Sequence, residues 1–335
     1  MIAEAGVSYV DQWLDGYWLV LVVKAAIVLV FFLTAPLAVG YAEHKVLAHM
    51  QARLGPMYAG RFHGWAQLVA DGVKFVQKED IIPAAADRWV FSLAPGVALV
   101  PYIVVLVVIP FSDQAFVLNL DVGIFFVIAM TSISVIGVLM AGWASANKFS
   151  LIGALRAAAQ LIAYELPLVL AAAAVVMQAA TLSMIGIVEA QEQYWFVFSQ
   201  PIGFFIFMVA SLAELTRPPF DMPVADSEII FGAYTEYTGL KFAFFLLSEY
   251  GGIVVLSAIA SVLFLGGYLG LPGMEVVPGP LWMAAKIGAL SFLIIWLRAT
   301  YPRLREDQLQ RASWLVLIPL ALVQIMGVAV LKVAV

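Results

Sequence analysis

The chain has 335 residues, 64% of them hydrophobic and 12% charged, with a formal net charge of −5 and no cysteine. Charged residues make up about a quarter of an ordinary soluble domain, so these values and a mean hydropathy of +1.01 exclude one. The acidic balance argues against a nucleic-acid partner, and the lack of cysteine excludes disulfides, cysteine-ligated iron–sulfur clusters and covalently attached haem.

Apolar runs of near 20 residues, the length that crosses a hydrocarbon core of about 30 Å, recur along the chain. The expected fold is therefore all-α: a polytopic integral membrane protein, residues 1–335 forming one membrane domain of about eight transmembrane helices. Spans are expected at Tyr17–Val39, Val90–Pro110, Val122–Ala144, Ile152–Val176, Phe196–Thr216, Lys241–Gly266, Leu281–Thr300 and Ser313–Val335. They must be helical because lipid offers no partners for open backbone groups. Glu4, Asp11 and Asp15 precede the first cation, Lys24. That is not the basic start of a cleaved signal peptide, so the first span is expected to be retained.

Lys and Arg gather after spans 1, 3, 5 and 7 and are absent after spans 2, 4 and 6. The positive-inside rule then makes 40–89, 145–151, 217–240 and 301–312 cytoplasmic and puts both termini outside. In the first of these loops, Gly55-Pro56 marks a turn. Beyond it Gln67, Asp71, Lys74 and Lys78 fall on one helical face, and Trp65, Leu68, Val69, Phe75 and Val76 on the other. That pattern describes an amphipathic helix at the interface or packed on a neighbour; a simple re-entrant anchor fits it equally. His44, His49 and His63 all lie in this loop, so facing histidines for a haem are lacking and no metal site is expected.

The acids are concentrated further along. Ala213–Tyr250 holds Glu214, Asp221, Asp226, Glu228, Glu236 and Glu249 against only Arg217 and Lys241. Glu214, Glu249 and Glu165 fall within or at the ends of spans. A mid-span acid costs roughly 2.5–3.5 kcal/mol, so three unpaired ones would cost on the order of 8–10 kcal/mol, comparable to a domain's whole net stability. They must be paired, wet or protonated, and three together favour a hydrated polar path over isolated interhelical bonds. Arg156, Gln160 and Tyr164 lie four apart, a polar stripe leading to Glu165. Arg217 follows Glu214 by three residues, within pairing reach, before Pro218-Pro219 ends the helix. The loop 219–239 carries too many aromatic residues to be solvated and is expected to pack under another subunit or fold back onto the spans. Lys24 and Lys286 sit nearer the outer ends of their spans, where snorkelling accounts for them.

Four stretches carry a family resemblance. RPPFDMPVADSEIIFGAYTEY, GWAQLVADGVKFVQKEDIIP, GWASANKFSLIGALRAAAQLIAYEL and WLRATYPRLREDQL resemble the H-subunit family of proton-pumping NADH:quinone oxidoreductases, the respiratory complex I enzymes. The resemblance implies a subunit of an oxidoreductase of the bacterial inner membrane, without a redox centre or bound cofactor of its own and with quinone as substrate. Its partners would be the quinone-site subunits of the peripheral arm, small membrane subunits and lipid. It implies that Arg53, Asp71, Arg217, Phe220 and Asp221 line a quinone tunnel, supported by Glu43, Lys74, Arg156 and Tyr164. Asp226, Glu228 and Glu236 would form an acidic loop beside it, and Glu165, Glu214 and Glu249 the start of a buried proton path. The chain departs from the family pattern at His44, Met57 and Val224, and Asp226 stands for a glutamate.

Two other readings share these features. One is the membrane anchor of a related energy-converting hydrogenase, or of a complex using a donor other than NADH. The other is a standalone proton-coupled transporter, a class that tends to show inverted repeats, which this sequence lacks.

Overall fold

A computed structural model describes residues 8, 10–11, 17–271 and 277–334. Glu4, Asp15, Glu275 and Val335 lie outside them, as does the side chain of Asp226. The regular structure among the described residues is all helical, without strands. They form α1 (Tyr17–Met50), α2 (Gln67–Gln77), α3 (Arg88–Val105), α4 (Gly123–Ala144), α5 (Lys148–Ala179), α6 (Met184–Glu189), α7 (Phe196–Ser199) and α8 (Pro201–Glu214), then α9 (Asp226–Ile229), α10 (Gly239–Phe264), α11 (Gly279–Thr300), α12 (Glu306–Arg311) and α13 (Ile318–Ala334). A π turn at Ala312–Leu317 joins α12 to α13.

Seven stretches among the described residues are helical, long and apolar enough to cross a membrane: α1, α3, α4, α5, α10, α11 and the continuous Glu306–Val333. The segment expected as the fifth span is broken at Gln200, where φ is −131° and ψ 55°, so α7 and α8 are separate. By itself α8 is about 21 Å long, short of a full hydrocarbon core. Helix α1 runs on past Val39, the expected end of its span, to Met50. Glu43 and His44 are therefore helical rather than in a loop, because no Pro or capping signal stops the helix before Met50.

Two helices, α5 and α10, form the interior; over their most apolar stretches 56% and 61% of residues are buried, against 11% for α1. Helix α5 starts at Asn147, whose Oδ1 accepts from the Phe149 amide at 2.9 Å. Its many alanines let α4, α8 and α13 pack directly on it, as small residues do where apolar packing rather than water drives association. Helix α10 packs on α1, α3 and α11 and is buried at every residue from Gly251 to Phe264.

The loop 219–239 folds back onto the helices. Tyr237 stacks on Phe91 with ring centroids 4.0 Å apart, and Tyr234 meets Phe245 at 4.7 Å. The turn at Gly232, with φ +51°, presses against α5 at Gly153. A Cβ at Gly153 would stand 2.5 Å from the Ala233 nitrogen and 2.7 Å from Gly232 Cα. Gly153→Ala is therefore expected to destabilise the protein by about 1–3 kcal/mol, the usual cost of overpacking, read as a lower Tm in detergent. Gly72→Ala is the control, since nothing lies within 4 Å of that Cβ position. Equal Tm values for the two variants would show that the loop can yield.

The amphipathic helix expected in the first loop is α2, preceded by a turn in which Gly55 has φ +69°. Its apolar face is divided. Leu68 packs close to Gly40 of α1, and Phe75 lies 5.9 Å from Phe242, whereas Val69, Val73 and Val76 are exposed.

Candidate functional site

Helix α8 ends at Glu214, and the chain then turns sharply through Thr216, whose φ is +51°. This turn carries Arg217 into the bundle, where it is 1% exposed. The sequence spacing suggested Glu214 as its partner. Instead Arg217 Nη1 donates to Glu43 Oε2 on α1, and its Nε lies 2.7 Å from Glu249 Oε1 on α10. A second cation, Arg298 on α11, donates from Nη1 to the other oxygen of Glu43. The Arg217 guanidinium also sits 4.7 Å from the centre of the Tyr250 ring. The result is an alternating chain, Arg298–Glu43–Arg217–Glu249, joining three helices and a loop. Its charges balance, which is what permits burial, since an unpaired buried ion costs several kcal/mol.

Beside this chain lies a cavity of about 270 Å³. Its wall includes the carboxylates Glu214, Asp221 and Glu249, the cation Arg298, the aromatic residues Tyr102, Phe231, Tyr234 and Tyr250, and Ser134 and Val224. Tyr102 and Ser134 are hydrogen-bonded across the wall at 3.3 Å. Glu165 stands one turn beyond Leu161, a wall residue of the same face of α5, and accepts a hydrogen bond from Ser132 on α4. Four partly buried carboxylates are thus grouped on and next to one cavity.

Other expected site residues lie elsewhere. Arg53 is exposed and bonds Gln51 at 2.8 Å. Asp71, on α2, is held by Lys74 at 3.0 Å and Gln67 at 3.3 Å. Neither lines the cavity. Phe220 is buried with its ring 5.3 Å from Tyr164, so it supports the turn behind the wall. Glu236 accepts from Asn147 at 2.5 Å. Glu228, on the exposed side, bonds Arg156 at 2.5 Å and lies 3.4 Å from Arg303. The Arg156 hydrogen bond holds its carboxyl below the ordinary glutamate range, with Arg303 and Arg305 adding to the effect.

The stripe Arg156–Gln160–Tyr164 does not lead to Glu165. Gln160 donates to the carbonyls of Ala213 and Phe220 at 2.6 and 2.7 Å, and Tyr164 donates to the Leu309 carbonyl at 2.9 Å. Successive residues on a helix differ by about 100° in direction, so Tyr164 and Glu165 point to different neighbours. The stripe is a seam that fixes α5 to the turn after α8 and to α12.

Arg298 is a wall residue that the sequence presents only as a positive charge at the end of an apolar span. Its one signal is its place in WLRATYP, and nothing there reveals a partner 255 positions away on α1. Among the described residues no group of three or more His, Asp or Glu is placed to hold a metal ion.

A family model described as NADH dehydrogenase matches residues 23–329. The H subunit of the NADH-quinone oxidoreductase of Bacillus mycoides (strain KBAB4) is 48% identical over 291 residues, 87% of each chain. Proteins of the same name from Geobacillus kaustophilus (strain HTA426) and Bacillus cereus (strain B4264) are 46% and 47% identical over the same share. With nine-tenths of its length matched by the model and this identity along it, the chain belongs to the NADH dehydrogenase family that contains the H subunits of NADH-quinone oxidoreductases.

Proposed function

We propose that this chain is the membrane subunit of a proton-pumping NADH:quinone oxidoreductase at which quinone reduction is coupled to proton movement. It forms one domain in the bacterial inner membrane, crosses it eight times with α7 and α8 as one crossing, keeps its Lys/Arg-rich loops in the cytoplasm and has both termini outside. The observation that carries this reading is the cavity walled by Glu214, Asp221, Glu249 and Arg298 next to a balanced chain of four charges whose middle pair, Glu43 and Arg217, is buried. Full reduction of a quinone to quinol takes up two electrons and two protons. The electrons come from a donor in the peripheral arm, since this chain has no cysteine to ligate one. Its own residues act on the protons and on the electrostatics.

In this reading Arg217, Phe220 and Asp221 shape the inner end of the quinone tunnel. Arg53 and Asp71, on the first loop and α2, belong to its cytoplasmic approach, where the exposed side of α2 meets the peripheral arm. Lys74 holds the Asp71 carboxylate in place. Glu214, Glu249 and Glu165 receive charge changes from the cavity and pass protons towards neighbouring membrane subunits. Glu228 and Glu236 tie the loop 219–239 to α5 and its N-cap, through Arg156 and Asn147 respectively, and Asp226 belongs to the same acidic loop. A change in the state of the quinone alters the balance around Arg217, which is shared between Glu43 and Glu249, and so biases where a proton resides.

Purification through a tag on this chain in mild detergent tests the assembly. Peripheral-arm subunits and NADH:quinone reductase activity are expected to co-purify; a chain that runs alone and transports a solute would overturn the reading. The tunnel assignment has its own test. Asp71→Ala is expected to lower quinone reductase activity several-fold while electron transfer from NADH to an artificial acceptor upstream of quinone persists. Equal loss of both activities would point to failed assembly instead.

A further inference from the structure

Lys286 does not snorkel. It lies within α11, is 7% exposed, and donates from Nζ to the carbonyls of Leu265, Gly267 and Leu269 at 2.6, 2.7 and 2.6 Å. All three ammonium protons are thereby used, and the ring of Trp195 lies 4.4 Å away. The carbonyls converge because the chain leaving α10 turns through Gly266 and Gly267, with φ +70° and +49°. The end of a helix presents open carbonyls and a partial negative charge. Here the carbonyls of the turn that follows the helix are gathered into a cradle of the kind that replaces the hydration shell of a small cation. Gln191 locks the same turn, accepting from the Gly266 amide at 3.0 Å and donating to the Val262 carbonyl at 2.8 Å.

The position of this cradle gives it a consequence. Between it and the carboxylate cavity, α10 is buried at every residue from Gly251 to Phe264, a plug about 21 Å long. The plug's hydroxyls are engaged: Ser261 donates to the Ser257 carbonyl at 2.8 Å, and Ser257 Oγ accepts from Ser291 of α11 at 3.3 Å. We propose that Lys286 is a tethered cation filling a carbonyl site that would otherwise admit hydronium or an alkali cation, and that it thereby insulates the outer end of the bundle against cation leak. The proposal rests on the membrane orientation and pumping role given above. A fixed positive charge at this polar constriction repels mobile cations, while the plug behind it offers them no water.

The test uses the purified complex in phosphatidylcholine–phosphatidylglycerol liposomes under an imposed pH gradient with no substrate present. Lys286→Gln keeps two amide donors for the carbonyls but loses the charge, and Lys286→Met loses both. Both are expected to dissipate the gradient several-fold faster than wild type, while Lys286→Arg stays tight and all three retain quinone reductase activity. An assembled Lys286→Gln or Lys286→Met complex that holds the gradient like wild type would overturn the proposal. So would failure of both neutral variants to assemble while Lys286→Arg does, since Lys286 would then be a folding tie only. A wrong assignment of the complex itself shows separately, as absence of quinone reductase activity in the wild type.

Discussion

Replacing Arg217 by methionine is expected to destabilise the protein by about 3–5 kcal/mol, the cost of breaking a buried ion pair and leaving charge behind. The size follows from burial. Arg217 is 1% exposed and the Glu43 side chain 4%, so water cannot take over what the guanidinium supplied. Glu43 would keep Arg298, but Glu249 would face the cavity without a cation. The loss should appear as a lower yield of assembled complex and a reduced Tm in detergent. Adding Glu249→Gln to Arg217→Met should recover part of it, because the second change removes the charge that the first strands, and residues in one network are not additive. An exposed pair behaves differently. Glu228 is 47% exposed, so Arg156→Ala should cost no more than about 1 kcal/mol. If Arg217→Met proves as stable as Arg156→Ala, the four-charge chain is not what holds the turn after α8.

The residues that the sequence places well are those whose surroundings depend on their own helix. Hydropathy alone marks the long membrane helices, though not the break at Gln200, and the cost of a mid-span acid singles out Glu165, Glu214 and Glu249 before any fold is known. Partners are a different matter, because they come from elsewhere in the chain. Spacing suggested Glu214 for Arg217, but the helix stops at Glu214 and the positive φ of Thr216 sends the guanidinium to α1 and α10 instead. Arg298 looks like a topology signal until it is seen to share Glu43 with Arg217. Lys286 shows the same limit in reverse. A lysine near a span end ordinarily reaches for water, and only the convergence of three carbonyls after α10 makes an inward position cheaper. The aromatic content of the loop 219–239 did indicate that it could not be solvated, yet it fitted another subunit's surface as well as this chain's own. The stacking of Tyr237 on Phe91 shows how much of it this chain covers.

Glu214→Gln is expected to abolish most quinone-linked proton pumping while the complex still assembles and reduces quinone. Of the acids at the cavity, Glu214 has the position that makes such a separation possible. It closes α8, lines the cavity, and takes no part in the chain from Arg298 to Glu249. Its removal therefore strands no cation, and glutamine fills the same volume, so the stability cost should stay within that of an ordinary substitution. What glutamine cannot do is bind and release a proton near neutral pH. In the proposed function, electron transfer needs the quinone to be seated by the Arg217 turn, whereas pumping needs a titrating group between the cavity and Glu165. The measurement is proton uptake into liposomes set against NADH:quinone reductase rate in the same preparation, so that the ratio, not either rate alone, falls. Val224 also lines this wall, and a Val224→Glu change would return an acid to the cavity from the loop. On the double variant with Glu214→Gln it should not restore pumping, because the new carboxylate sits on the loop and not at the end of α8. Full pumping by Glu214→Gln alone would remove Glu214 from the path; rescue by Val224→Glu would mean that the path needs an acid in the cavity but not on any particular helix.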